Sequence, residues 1–434
     1  MADRDDDKRL GQAFDEGRDW VERTAADVAD RVGRAWMAVR ARGRDSAGGA
    51  DPLPQGAAVE EADVDPSELF SRDRQREVER LGHANILIIG QTGVGKSTLI
   101  NAVFRKRLAE EGTGRPVTKV VQRFEDPDVP VTLYDSKGVE LGDSRNRVIR
   151  DFKRIISKSR KAAPEQHIHL LWYCMDAGQT RVQDYDVEII RALADEVPVV
   201  LVFTQTIDDD RADALAQTVR EADLPIEGGE PVRTLAQARR IGGQTLRPYG
   251  LEELVRVTNE LLPEAVRRAF INAQGVVLDL KVDQSRIVVV GATAAAAAAA
   301  VAPIPASDAM VLKPIQLGML AGITVIFGVE LSNDQGKALL KSLIGQGRLE
   351  KAGKKLVKEL AKHVPGGNVV NATVAAALTG ALGEAYIRLC TQMLRRQAAG
   401  RPMPDGEILE YLTDAYERLV RKPRRETTGE VTAA

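Results

Sequence analysis

Between Asn85 and Phe203, short unbroken apolar runs alternate with stretches in which apolar residues recur every three or four positions. The runs are Asn85 to Ile89 (NILII), Val129 to Tyr134, His169 to Met175 and Val197 to Phe203, while Asp184 to Ala194 and Asp210 to Glu221 carry the helical spacing. Strands that are apolar throughout suit a parallel sheet covered on both faces. Their alternation with helices implies crossover connections. The pattern therefore predicts an α/β domain with a mostly parallel sheet and helices on both faces.

After Leu251 to Leu262 the spacing stays helical to about Arg421, which places a boundary near Pro263 and predicts an all-helical C-terminal domain. Two apolar segments, Ile287 to Ala302 and Pro314 to Leu331, predict a helical hairpin; Val369 to Leu382 is a third apolar run. Ile408, Leu409, Leu412, Ala415 and Leu419 share one face of a last helix, Asp405 to Val420. At the other end, Leu10, Phe14, Val21, Val28, Val32, Trp36 and Val39 trace one stripe of an amphipathic helix. The run from Arg44 to Pro66 is rich in Gly, Pro, Ala and acid, which suits a linker. A short charged helix, Ser67 to Leu81, follows it. The expected organisation is an N-terminal helix over 1–42, a linker over 43–65, an α/β domain over 66–262, a helical domain over 263–421 and a tail over 422–434.

Composition narrows the function classes. A chain of 434 residues is long enough for two folded domains. A formal net charge of -2 supplies no basic field for nucleic acid, so none is expected as a partner. Aromatic residues make up only 4%, which favours helices packed through alanine and glycine. Cys174 and Cys390 lie far apart and form neither a disulfide framework nor a metal spacing, which fits a reducing cytoplasm. The first ten residues are acidic and lack the basic and apolar regions of a secretory signal. The apolar segment of the hairpin is about 24 Å long as a helix, short of the ~30 Å hydrocarbon core. The lysine-rich stretch Lys337 to Lys362 has the character of a membrane-surface helix as well as of a solvated face. The expected location is cytoplasmic, with peripheral or integral attachment at the inner face of the cytoplasmic membrane as the alternative.

The strongest chemical signal is GQTGVGKS at Gly90 to Ser97, which satisfies G-x-x-x-x-G-K-[ST] between an apolar strand and a helix. Glycines let backbone N–H groups converge on phosphate oxygens, and the helix start adds more donors. Gly90, Gly93, Val94, Gly95, Lys96, Ser97 and Thr98 are the expected cradle. Lys96 supplies a charge for the β and γ phosphates, and Ser97 offers a hydroxyl to Mg²⁺.

The run GQTGVGKSTLIN, a threonine about twenty residues on and D-x-x-G after an apolar strand resemble an Era-like GTPase of the translation-factor class. The resemblance covers Ala84 to about Leu262. It implies GTP and GDP as ligands, with Mg²⁺. It also implies that Thr118, with Thr113 as competitor, completes the Mg²⁺ shell, that Asp135 holds the ion, and that Gly138 meets the γ-phosphate. The base-reading N/T-K-x-D motif of such proteins has a departed counterpart here in FTQTIDDD. Thr204 and Gln205 match loosely, Ile207 stands where the aspartate is expected, and Asp208 follows one residue late. Either Asp208 reaches the base or specificity is relaxed; GTP is the expected nucleotide. Leu235 and Ala236 resemble the loop that backs the base. The pattern PIP-x-SDA followed by LKPIQ-x-GM, within Pro263 to about Arg396, resembles the uncharacterised helical domain that follows the G domain in a family of bacterial GTPases.

Val139 occupies the position after Gly138 where many small GTPases place a water-orienting glutamine. Slow hydrolysis is therefore expected, with Lys96, Thr118 and Gly138 as catalytic groups. A backbone group, Lys137, Glu140, a residue from another molecule or nothing at all would position the water, and Arg181, which reads first as a surface arginine, is the candidate for a finger donated across a G-domain homodimer. His167 and His169, two apart, would share one face of a strand and so could share a metal, but no third ligand is evident, and they read as strand-entry residues. The functional expectation is a GTP-dependent switch coupled to a helical domain that contacts a partner or membrane surface. The rivals are a non-hydrolysing scaffold and a dynamin-like protein activated by dimerisation.

Overall fold

The computed structural model describes residues 16, 19–21, 23–24, 65–104, 108, 115–116, 121–127, 129–136, 145–301, 307–329 and 367–420. The chain forms two compact units: 79–281, and 1–78 together with 282–434.

The first unit is built on a seven-stranded sheet of order β2-β3-β4-β1-β5-β6-β7. The strands are β1 (Ala84–Ile89), β2 (Arg115–Pro116), β3 (Val121–Asp126), β4 (Val129–Ser136), β5 (Leu170–Asp176), β6 (Val199–Thr204) and β7 (Val232–Arg233). From β4 to β7 the pairing is parallel; β3 and β2 add an antiparallel edge. Every residue of β1 and β6 is buried, as their unbroken apolar runs require. Alternate side chains feed two cores. Ala84, Ile86 and Ile88 pack with α2 (Lys96–Val103), α6 (Leu251–Leu261) and α7 (Glu264–Ala273). Leu87 and Ile89 face α3 (Arg145–Ser159), α4 (Asp184–Ala194) and α5 (Asp209–Glu221). A small hairpin, β8 (Arg239–Ile241) with β9 (Gln244–Leu246), stands apart from the main sheet.

The units divide at Lys281 and Val282 rather than near Pro263. The reason is α7, a helix beyond the expected boundary that buries Val266, Ala269, Phe270 and Ala273 in the β1 side of the sheet core. The buried Lys281 then donates to the Ile271 and Asn272 carbonyls at 2.6 and 2.8 Å, which holds the following turn to the end of α7. Likewise α1 (Pro66–Glu79) places Leu69 and Phe70 in the helical core, not in that of the sheet.

The helical unit contains α1, α8 (Leu278–Val301, which begins in the first unit), α9 (Ser307–Phe327), α10 (Gly367–Ala398) and α11 (Asp405–Val420). Small residues bring its helices together: Gly322 meets Val288, and Gly383 meets Val289 and Met319. From the N-terminal segment, Val21 is buried in this core and Trp20 packs against it. Among the described residues no helix is long and apolar enough to cross a membrane. The linker at 43–64, the lysine-rich stretch and the tail after Val420 lie outside the described residues.

Candidate functional site: a phosphate cradle and the recess beside it

The sheet order puts β4 and β5 on opposite sides of β1. In α/β sheets a ligand binds at the C-terminal strand ends where the order reverses in this way, and the glycine-rich turn begins there. Gly90 is required by its neighbour: a Cβ on it would lie 2.4 Å from the Cys174 carbonyl oxygen of β5. Gly95 caps α2 with φ 98°, in the left-handed region that favours glycine. The first N–H groups of α2 have no partner within the helix and form a donor set for an anion. Lys96, only 7% exposed, folds back so that Nζ donates to the Gly90 and Gln91 carbonyls at 3.0 and 3.1 Å.

Asp135 comes from β4, whose register sets it beside Ile88 of β1. It is 8% exposed, and its buried Oδ1 has no hydrogen-bond partner. Burial pushes its carboxyl from the ordinary 3.8 up to about 6, against the opposing pull of Lys96. An orphaned carboxylate oxygen in the strand next to the cradle is costly unless something charged completes it. A hard divalent cation, with the exposed Ser97 hydroxyl as second protein ligand, fits that requirement.

On the β6 side, a cavity of about 120 Å³ is lined by Gly93, Gly95, Thr98 and Leu99 from the cradle and α2, Thr204 and Gln205 from the end of β6, and Leu235, Ala236, Gln237 and Arg239 from the β7 side. Thr204 Oγ1 lies 2.5 Å from the Val94 carbonyl oxygen and 3.0 Å from that of Met175, fastening β6 to the cradle. Gln205 adopts φ 53°, a left-handed conformation unusual for a residue with a side chain. Its amide nitrogen donates to Asp176 Oδ2 at 2.9 Å and to the Gly93 carbonyl at 3.3 Å, while its Oε1 accepts from Arg239 at 3.2 Å. Local strain held by surrounding bonds is a recurrent feature of ligand sites.

Two family models match the chain: residues 85–205 match one described as 50S ribosome-binding GTPase, and residues 273–417 match a domain of unknown function. The first unit carries a P-loop GTPase domain. Among relatives, GTPase Der of Wolinella succinogenes is 33% identical over 130 residues, which are 29% of this chain and 26% of that protein. Septin-2A of Xenopus laevis is 26% identical over 161 residues, 31% of this chain and 43% of that one. The chain thus spans less than half the length of either relative. A solved septin GTPase domain from Chlamydomonas reinhardtii aligns with TM-score 0.31 at 14% identity, over 43% of this chain and 89% of that one.

Within the GTPase domain, the structure brings Gly93, Gly95, Thr98, Thr204, Gln205, Leu235 and Ala236 together around one cavity. Asp208 is not among its lining. Instead it is the N-cap of α5, its Oδ1 accepting from the Arg211 N–H at 3.2 Å, and its position is set by helix capping. Both histidines precede β5, as strand-entry residues do. His169 Nδ1 accepts from the Asn85 N–H at 3.0 Å, and His167 Nε2 lies 3.1 Å from the Ala162 carbonyl. No metal-holding cluster of three such residues occurs among the described residues. Arg181 is exposed. Thr113, Thr118, Lys137, Gly138, Val139 and Glu140 lie outside the described residues.

Sequence reading passed over Asp176, Arg239 and Gln237. Asp176 ends an apolar run just before Ala-Gly, a turn signal that could have marked it. Nothing in the local pattern around Arg239 announces its meeting with Gln205, which lies 34 positions away.

Proposed function

We propose that this protein binds GTP with Mg²⁺ and hydrolyses it slowly to GDP and phosphate, acting as a switch whose output is the helical unit. The observation that carries the reading is the pairing of the Lys96 cradle with the orphaned Asp135 oxygen on the adjacent strand. In this reading the glycine-turn amides and the α2 N-terminus hold the α and β phosphates, and Lys96 leaves its two carbonyl partners to meet the β and γ phosphates. Ser97 and Asp135 hold the cation, which neutralises phosphate charge when bound. Thr118 and Gly138 would sense the γ-phosphate by resemblance. With valine at 139, no glutamine orients the attacking water from that position, so turnover is slow until another group supplies the role.

Coupling to the helical unit, through ordering of the loops around the γ-phosphate, is part of the same proposal. Peripheral contact with a membrane surface is its second element, supported by the exposed Ile287 and Val290 on α8. Single-turnover hydrolysis with purified chain and Mg²⁺ tests the enzyme: phosphate release well above that of free GTP, abolished in Lys96→Ala, is expected. Equal release by the variant would take the cradle out of the reaction. Co-sedimentation with liposomes, with and without GTP, tests the membrane element, and binding in neither state would remove it. A steep rise of turnover with protein concentration would instead favour activation through a G-domain homodimer.

A further inference from the structure

The recess beside the cradle has an electrostatic character that its position does not suggest. Arg239 is the charged residue of its lining, and among the described residues no carboxylate lines it. Asp176, bonded to Gln205, and Asp208, three residues beyond it, are committed elsewhere. Asp176 accepts from the Gln205 amide through Oδ2 and from the Gly178 N–H through Oδ1 at 2.7 Å. Asp208 caps α5 and pairs with Arg211 at 3.3 Å. Ile207, which stands where an aspartate was expected, is half exposed and apolar.

These contacts decide which edge of a purine can be read. The N1–H and 2-amino group of guanine are donors, and a charged acceptor binds them roughly twice as strongly as a neutral one. Among the described residues that line the recess there is no charged acceptor. The O6 and N7 atoms are acceptors, and an arginine fork is the usual partner of that pair. Arg239 carries only donors, and its guanidinium already reaches the mouth of the recess on Gln205 Oε1.

Resting on the guanine-nucleotide reading above, we propose that Arg239 selects 6-oxopurine nucleotides through O6 and N7, and that the 2-amino group goes unread. Guanine and hypoxanthine nucleotides then bind alike. Adenine, which presents an amino donor where guanine presents O6, sets donor against donor and binds less tightly.

Calorimetry of the full chain with GDP, IDP and ADP in Mg²⁺ tests this. The expected dissociation constants for GDP and IDP agree within about threefold, with ADP weaker by about tenfold or more. Arg239→Ala should bring ADP and GDP to within about threefold, and Arg239→Lys, which keeps charge but not the fork, should do nearly the same. Both changes lie on an exposed side chain, and circular dichroism confirms that the variants fold. Asp208→Asn, which retains a capping side chain, should leave the GDP to IDP ratio unchanged. GDP binding tighter than IDP by about tenfold or more would overturn the inference alone, as would an unchanged GDP to ADP ratio in Arg239→Ala. Heat from none of the three nucleotides would remove the nucleotide-site reading and this inference with it.

Discussion

Gln205 donates its side-chain amide to Asp176 Oδ2 at 2.9 Å, tying the end of β6 to the end of β5 beside the recess. The bond holds Gln205 in its left-handed backbone and aims its Oε1 at Arg239. Asp176→Ala releases that posture. A lost hydrogen bond of about 1 kcal/mol corresponds to about fivefold in affinity, so GDP binding should weaken by roughly that factor. Calorimetry giving the wild-type constant would mean that the posture of Gln205 is irrelevant to the nucleotide.

The raised carboxyl of Asp135 makes stability depend on pH in Mg²⁺-free buffer. Because the folded value of about 6 exceeds the ordinary 3.8, the native state holds the extra proton between the two. The contribution is therefore fully present below about pH 4 and lost as pH rises through about 6. Its size is about 2–3 kcal/mol at one pH unit per 1.36 kcal/mol. Asp135→Asn should abolish this decline and melt above wild type at pH 7.5, while losing Mg²⁺-dependent nucleotide binding. Denaturation curves with the same pH dependence in both proteins would contradict the assignment.

Two glycine substitutions should move stability in opposite directions. Gly90→Ala sets a methyl 2.4 Å from the Cys174 carbonyl oxygen and 3.1 Å from Val94 Cγ2, so backbone must shift. Overpacking of this kind costs about 1–3 kcal/mol, and nucleotide binding should go with it. Gly291→Ala, on the exposed side of α8 with nothing within 4 Å, should stabilise by about 0.5–1 kcal/mol. Thermal melts of the pair check both signs.

In the helical unit, Glu384 is 2% exposed and accepts from Arg286 at 3.1 and 3.2 Å and from Arg388 at 3.3 Å. Arg286 also lies 5.3 Å over the Trp20 ring, extending the network to the N-terminal segment. Glu384→Ala removes a buried carboxylate that accepts from both guanidinium groups, a loss of about 3–5 kcal/mol. Trp20→Ala should cost less, about 1 kcal/mol of cation–π energy plus its packing. Urea denaturation ranking the two the other way round would show that the carboxylate is not the centre of the network.

How much of the site could be read from residues alone depended on the range of the interactions. The cradle was legible because its chemistry is local: one strand, one tight turn and one helix start occupy Ala84 to Val103. The central strands and the last helix were legible for the same reason, since burial on both faces or along one stripe leaves a period that single residues reveal. The division of the units was not, because α7 looks like any amphipathic helix until its partner is known.

Asp208 illustrates the limit most directly. Its place one residue past the expected aspartate left open whether it reaches a base, and in the fold it is a helix cap outside the recess lining, because an aspartate before a run of helical residues satisfies an unpaired N–H. Sequence by itself determined the phosphate cradle, the α/β class and the appended helices, all consequences of short-range periodicity and turn chemistry. Only the tertiary structure decided that Asp135 carries an orphaned oxygen, that Gln205 is bent to serve Asp176, and that Arg239 supplies the charge of the recess. Those outcomes depend on contacts between segments tens of residues apart, and such contacts exist only once sheet register and loop packing have brought the segments together.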